Sequence, residues 1–240
     1  MIAAQQALRA LANPVRAEHS QRFFKTGPGQ YGEGDRFLGI TVPLQRLVAK
    51  EHLTSTSLLE LTQMLHSPWH EDRLTALIML CATYKKAKRD RAAREEVIQC
   101  YLANLDYVNN WDLVDSSAPY LTGEAVRNGE LSEEVLWHLA HSGHLWRERV
   151  AMVSTFAFLR KGNGSTYLTF ALAEHFLPHK HDLMHKAVGW ALREAGKFEP
   201  TKLREFLTAH GAMMPRTMLR YAIEHFSAED RHFYLNLRQK

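Results

Sequence analysis

Pro68-Trp69-His70-Glu71-Asp72-Arg73-Leu74-Thr75-Ala76-Leu77-Ile78 opens with polar and charged residues and then runs into an apolar helical stretch. The same pattern returns in Leu145-Trp146-Arg147-Glu148-Arg149-Val150-Ala151-Met152-Val153, in Leu183-Met184-His185-Lys186-Ala187-Val188-Gly189-Trp190-Ala191-Leu192-Arg193, and in Met214-Pro215-Arg216-Thr217-Met218-Leu219-Arg220-Tyr221-Ala222-Ile223. With Leu74, Leu113, Val150, Ala187 and Tyr221 as equivalents, the intervals are about 34 to 39 residues, the period of two-helix solenoid units of the HEAT kind. No stretch sustains the apolar–polar alternation of a strand. The expected class is therefore all-α: a helical-repeat solenoid, or α-α superhelix, with a concave basic face.

Outward from the repeats, the expected organisation is one domain over 1–240, with N-terminal helices at 1–24, a Gly-rich loop at 25–41 and stacked helix pairs at 42–240. In the first segment Ile2, Leu8, Leu11, Val15, Phe23 and Phe24 are the expected buried positions, and Pro14 marks a break between two short helices. Gly27-Pro28-Gly29-Gln30-Tyr31-Gly32-Glu33-Gly34-Asp35 is too rich in glycine and proline for a helix or central strand, and its glycine spacing does not match a nucleotide-binding fingerprint. Pro43 fits the first turn of the next helix.

Composition narrows the class. The 240 residues are 45% hydrophobic and 23% charged, as in an ordinary folded protein. No apolar run approaches the ~18 residues of a spanning helix, and arginines and a glutamate interrupt the N-terminus where a signal peptide needs an apolar core. The expectation is a cytoplasmic protein with no membrane partner. Cys81 and Cys100 lie in helical apolar patterns and read as buried free thiols. A formal net charge of +4 suggests an anionic partner, with nucleic acid the first hypothesis.

Within the repeats, Asn109-Asn110-Trp111-Asp112-Leu113-Val114-Asp115-Ser116-Ser117-Ala118-Pro119-Tyr120 occupies a second-helix slot. On a helix Trp111 and Asp115 share one face, about one turn apart, and an indole beside a carboxylate can hold a cation. Taken alone, the spacing favours the plainer reading, with Trp111 in the core and Asp112 or Asp115 as a helix cap or an arginine's partner. Second helices of a stacked array line one surface, which would make neighbours of Trp111, Asp115, Arg149 and Trp190. Asp112 is turned away from the Trp111 and Asp115 face and reads as structural.

The pieces FKTGPGQYGEGDRFLGITVP, NNWDLVDSSAPY, LWRERVAMVSTF, HKAVGWALREAGK and MPRTMLRYAIE together resemble the DNA alkylation repair family of HEAT-like DNA glycosylases, the AlkD type. The resemblance implies hydrolysis of the N-glycosidic bond of cationic N3- or N7-alkylpurines in double-stranded DNA, by a monomer without metal or other cofactor. It implies Asp115 as the catalytic carboxylate, Trp111 and Trp190 as the aromatics facing the lesion's deoxyribose, and Arg149 as the contact to the DNA backbone. Arg147, Lys186, Arg193, Arg216 and Arg220 are candidates for phosphate contact, each with an ion-paired alternative. Phe23 stands where a DNA-facing tyrosine can occur in the family, so a hydroxyl there would have to come from Tyr31. Some relatives bind DNA without excising bases, which keeps a non-catalytic binder of damaged or branched DNA as the alternative.

Two other constellations carry less. His181 and His185 have the i, i+4 spacing of a metal pair beside His175 and His179, but Pro178 interrupts the segment and no HExxH accompanies it. Ser116 and Ser117 beside Asp115 lack a motif for a partnering base, so helix-edge hydrogen bonding is the better reading.

Overall fold

The computed structural model describes residues 1–160 and 164–237. Among these the chain is helical, without strands; one isolated parallel bridge joins Arg36 and Trp69. Two compact units result, Met1–Ser117 and Ala118–Lys240.

The first unit runs α1 (Ala3–Ala10), α2 (Pro14–Phe23), α3 (Val42–His52), α4 (Leu58–Leu65), α5 (His70–Ala87), α6 (Arg91–Ala103) and α7 (Trp111–Asp115). The helix starts follow from their residues. Asn13 accepts a hydrogen bond from the Arg16 amide at 3.0 Å ahead of Pro14, Ser57 and Glu60 form a reciprocal capping box, and Asp90 accepts from the Ala93 amide at 3.1 Å. Helix α5 is the centre of the unit, packing on α1, α3, α4, α6 and α7. Its Leu74, Leu77, Met79 and Leu80, and Leu61, Met64 and Leu65 of α4 packed on it, are all buried in the core.

The N-terminal helices form where expected, but their burial differs. Leu8 is buried, while Leu11 is exposed, Val15 is 79% exposed and Phe23 57% exposed; Ile2 and Phe24 are half-buried. Helix α2 buries no side chain. It is held by its backbone instead: the Asn13 amide donates to the Leu38 carbonyl at 2.8 Å, and Gly39, at φ +80°, lies so close that a Cβ there would stand 2.2 Å from the Asn13 carbonyl oxygen. Cys81 and Cys100 are free thiols, half-buried rather than buried, and each meets a polar neighbour, the Ser116 carbonyl and the Thr62 hydroxyl respectively.

The second unit contains α8 (Glu124–Arg127), α9 (Glu134–Ala140), α10 (Leu145–Ser154), α11 (Tyr167–His175), α12 (Asp182–Gly196), α13 (Pro200–His210), α14 (Arg216–Ala222) and α15 (Ala228–Leu235), preceded by a π-helical turn at Pro119–Gly123. Helices α10 and α14 begin at or within the quoted repeat segments and α12 one residue ahead of its own, and they pack side by side, α10 on α12 and α12 on α14. A Cβ on Gly189 would meet the Met218 carbonyl oxygen at 2.4 Å, so glycine is what lets α12 and α14 approach this closely. Helix α9 packs on α10, and α11 and α13 pack on α12. The repeat inferred from sequence is thus present as alternating helices.

Candidate active site

In the first unit the site is built on α7. Its five residues begin at Trp111 because the Asn110 side chain, itself buried, accepts the Trp111 amide at 2.9 Å. They end where Ser117 turns back: its hydroxyl donates to the Leu113 carbonyl at 2.6 Å and meets the Tyr101 hydroxyl at 2.9 Å. Burial first, and after it the nearby Cys81 and Asp115, push the Tyr101 phenol upward against that hydrogen bond, so Tyr101 stays neutral. Leu113 and Val114 face the core. Trp111 and Asp115, the first and last residues of the helix, are both half-buried.

Trp111 belongs to an aromatic stack. Its ring lies 5.5 Å from Phe24 at an interplanar angle of 19° and meets Phe23 edge-on at 6.1 Å. Phe24 stacks in turn on Phe37 at 5.0 Å, and Phe37 on His70 at 4.6 Å. The Tyr31 hydroxyl lies 3.5 Å from the Phe23 carbonyl. Four of the residues singled out by sequence, Phe23, Tyr31, Trp111 and Asp115, therefore gather around α2, the glycine-rich loop and α7.

Sequence reasoning missed the group behind them. His70, Glu71, Asp72 and Arg73 open α5 and are all buried. Glu71 accepts the backbone amides of Leu38, Gly39 and Ile40 at 2.9, 2.8 and 3.2 Å, closing the end of the glycine-rich loop. Asp72 takes Arg9, Gln5 and Ser67. Arg73 donates to Asp35 and to the Ser67 carbonyl. His70 lies between two carboxylates, Nδ1 to Asp35 and Nε2 to Asp112, each at 2.8 Å. Burial alone would depress the imidazole, but the charge and hydrogen bond of Asp112, together with Asp35, raise it to about 9. Asp35, penalised by burial, is still held below its ordinary range by His70 and Arg73. The glycine-rich loop thus delivers Asp35 to this cluster. Asp112 is engaged in this cluster through His70.

The second unit presents the remaining candidates. On α12, Lys186, Trp190 and Arg193 follow at i, i+4 and i+7 and share a face. Trp190 is half-buried against Phe156 at 4.3 Å. Lys186 pairs with Asp182 at 2.8 Å, and Arg193 with Glu194 and Glu224. Arg149 is only 4% exposed and donates to the Leu183 carbonyl at 2.6 Å, which anchors it to the helix that carries Trp190. Arg147 is half-buried. The histidine group is engaged locally: His179 with Glu148 at 2.9 Å, His181 with the Leu183 amide, and His185 with the His179 carbonyl at 2.6 Å. Among the described residues no cluster of three or more His, Cys, Asp or Glu is arranged to hold a metal ion, and no helix is long and apolar enough to cross a membrane.

A family model described as DNA alkylation repair enzyme matches residues 4–226. A solved structure of a predicted DNA alkylation repair enzyme from Enterococcus faecalis is similar, with a TM-score of 0.69 and 19% identity, covering 90% of this chain and 97% of that one. At that identity the likeness is one of fold. No curated protein matches the chain.

Proposed function

Because the chain belongs to the DNA alkylation repair enzyme family, we propose that it is a monofunctional DNA glycosylase that hydrolyses the N-glycosidic bond of cationic N3- or N7-alkylpurines in duplex DNA, acting as a cytoplasmic monomer. The observation that most supports this reading is α7, which sets an indole and a carboxylate at its two ends with the intervening residues anchored in the core.

The residue types suit the chemistry. An alkylated purine already carries positive charge and leaves as a neutral base, so no general acid is required. As the C1′–N bond breaks, positive charge develops on the deoxyribose. Asp115 stabilises that charge and accepts a proton from the water whose oxygen bonds to C1′; the indole faces of Trp111 and Trp190 add π-electron density. One carboxylate is enough, where O-glycosidases commonly need an acid and a base or nucleophile. Arg149, Arg147, Lys186 and Arg193 are assigned to the phosphate backbone, with Phe23 and Tyr31 at the DNA-facing edge of the first unit.

The test is single-turnover release of 7-methylguanine and 3-methyladenine from methylated duplex. Asp115→Asn should slow release by about 100-fold or more while leaving DNA affinity nearly unchanged. If the wild-type protein binds the duplex and releases neither base, it is a non-catalytic DNA binder; if Asp115→Asn is as fast as wild type, the assigned carboxylate is wrong.

A further inference from the structure

We propose that His70 is a positioning residue for α7: bridging Asp35 of the glycine-rich loop and Asp112 of α7, it fixes the segment that presents Trp111 and Asp115. Its effect on rate rests on the glycosylase reading; the clamp itself does not.

Helix α7 is only five residues long, too short to be stable by its own hydrogen bonds. Its orientation must come from what holds its ends. At the C-terminal end that is the Ser117–Tyr101 contact, between neutral hydroxyls. At the N-terminal end it is the Asn110 cap and the Asp112–His70 bond. Asp112 depends on this bond, because its Oδ1 is buried and has no hydrogen-bond partner. His70 also reaches Trp111 by packing, since Phe24 lies 5.0 Å from the imidazole and 5.5 Å from the indole.

The geometry fixes the charge state. Both ring nitrogens face carboxylate oxygens, and ionised carboxylates only accept, so both nitrogens must carry hydrogen and His70 is an imidazolium. The charged groups against it are Asp35 from the loop, Asp112 from α7 and, within α5, Arg73 on the other oxygen of Asp35. Two carboxylates are thus balanced by two cations. Loss of the His70 proton would leave Asp35 and Asp112 with Arg73 alone and remove one of the two hydrogen bonds. Burial of such a set costs more than packing with apolar side chains would, so its place directly behind α7 points to orientation rather than to stability alone.

Two measurements on wild type and His70→Gln test this: amide hydrogen exchange across 111–117, and single-turnover excision with DNA affinity from about pH 6 to about pH 10. Wild type should lose excision rate with a midpoint near 9. His70→Gln should exchange α7 amides at least ~10-fold faster while α12 amides are unaffected, excise ~10-fold or more slowly at neutral pH with DNA affinity within ~2-fold, and lack the alkaline limb. Unchanged α7 exchange and an unchanged pH profile in the variant would overturn the clamp and leave the glycosylase reading intact. If wild type releases no base, that reading falls and exchange alone decides the clamp. Should His70→Gln fail to fold, Asp112→Asn serves: with one carboxylate removed the alkaline limb must move to lower pH, and an unmoved limb overturns the proposal.

Discussion

Arg9 grips Asp72 with both ends of its guanidinium group, Nη1 to Oδ1 at 2.8 Å and Nη2 to Oδ2 at 2.6 Å. The bond ties the first helix to the first turn of α5, and Asp72 is fully buried beneath it. Removing one partner of a buried pair strands the other charge, which is more costly than the pair's own net contribution. Arg9→Ala should therefore lower stability by about 3 kcal/mol, with Gln5 and Ser67 preventing a larger loss. Urea unfolding followed by circular dichroism measures it; a change below about 0.5 kcal/mol would mean the pair behaves like a surface contact.

Alkaline destabilisation should follow from His70. Its folded pKa, about 9, lies above its ordinary value of 6.5. A group raised in this way contributes its full stabilisation below the unfolded pKa and loses it as pH rises through the folded one. The loss should begin above about 6.5 and approach completion past 9, on the order of 3 kcal/mol. Urea midpoints at pH 6 and pH 9.5 in one buffer series would show it, and His70→Gln should abolish most of the difference. A wild-type midpoint independent of pH over that interval is incompatible with a charged His70.

Much of the helical framework was legible because the repeat is local: each polar-to-apolar segment of sequence names its own helix, and Pro14 and Pro43 mark boundaries by fixed backbone rules. Trp111 and Asp115 were legible for the same reason, as an i, i+4 pair. The His70 cluster was not. Hydrophobic patterning assigns His-Glu-Asp-Arg to solvent, yet four consecutive helical residues cover every face of the helix, so some must point inward. Their partners, Asp35 and Asp112, lie far off in sequence, where no period connects them. Val15 and Phe23 misled in the opposite way: they are apolar on a helix whose attachment is through backbone contacts at Gly39.

Gly39 should accordingly be intolerant of change. Any side chain there must adopt φ near +80° and also displace Asn13 and Ala17, whose backbone atoms would lie 2.2 and 2.5 Å from the new Cβ. Gly39→Ala is expected to cost at least about 2 kcal/mol. It should also loosen α2, and with it Phe23, so limited proteolysis should cut near residues 24–35 sooner than in wild type. A variant with unchanged melting temperature and unchanged proteolysis would show that α2 is held elsewhere.

On α12, Lys186 and Arg193 flank Trp190 on one face but differ in how firmly they are engaged. Lys186 is 40% exposed and its bond to Asp182 is a surface i, i+4 pair, which a phosphate can replace at little cost. Arg193 is 18% exposed and pairs with two carboxylates, Glu194 and Glu224, so moving it to DNA means breaking a less exposed pair. Each phosphate contact releases counterions and steepens the salt dependence of binding. Lys186→Ala should therefore reduce the slope of log affinity against log salt by about 1, and Arg193→Ala by clearly less. Anisotropy titrations of a labelled duplex at several salt concentrations give both slopes. An unchanged slope for Lys186→Ala removes that residue from the DNA interface, and a larger effect for Arg193→Ala would mean that DNA binding itself breaks the Glu224 pair.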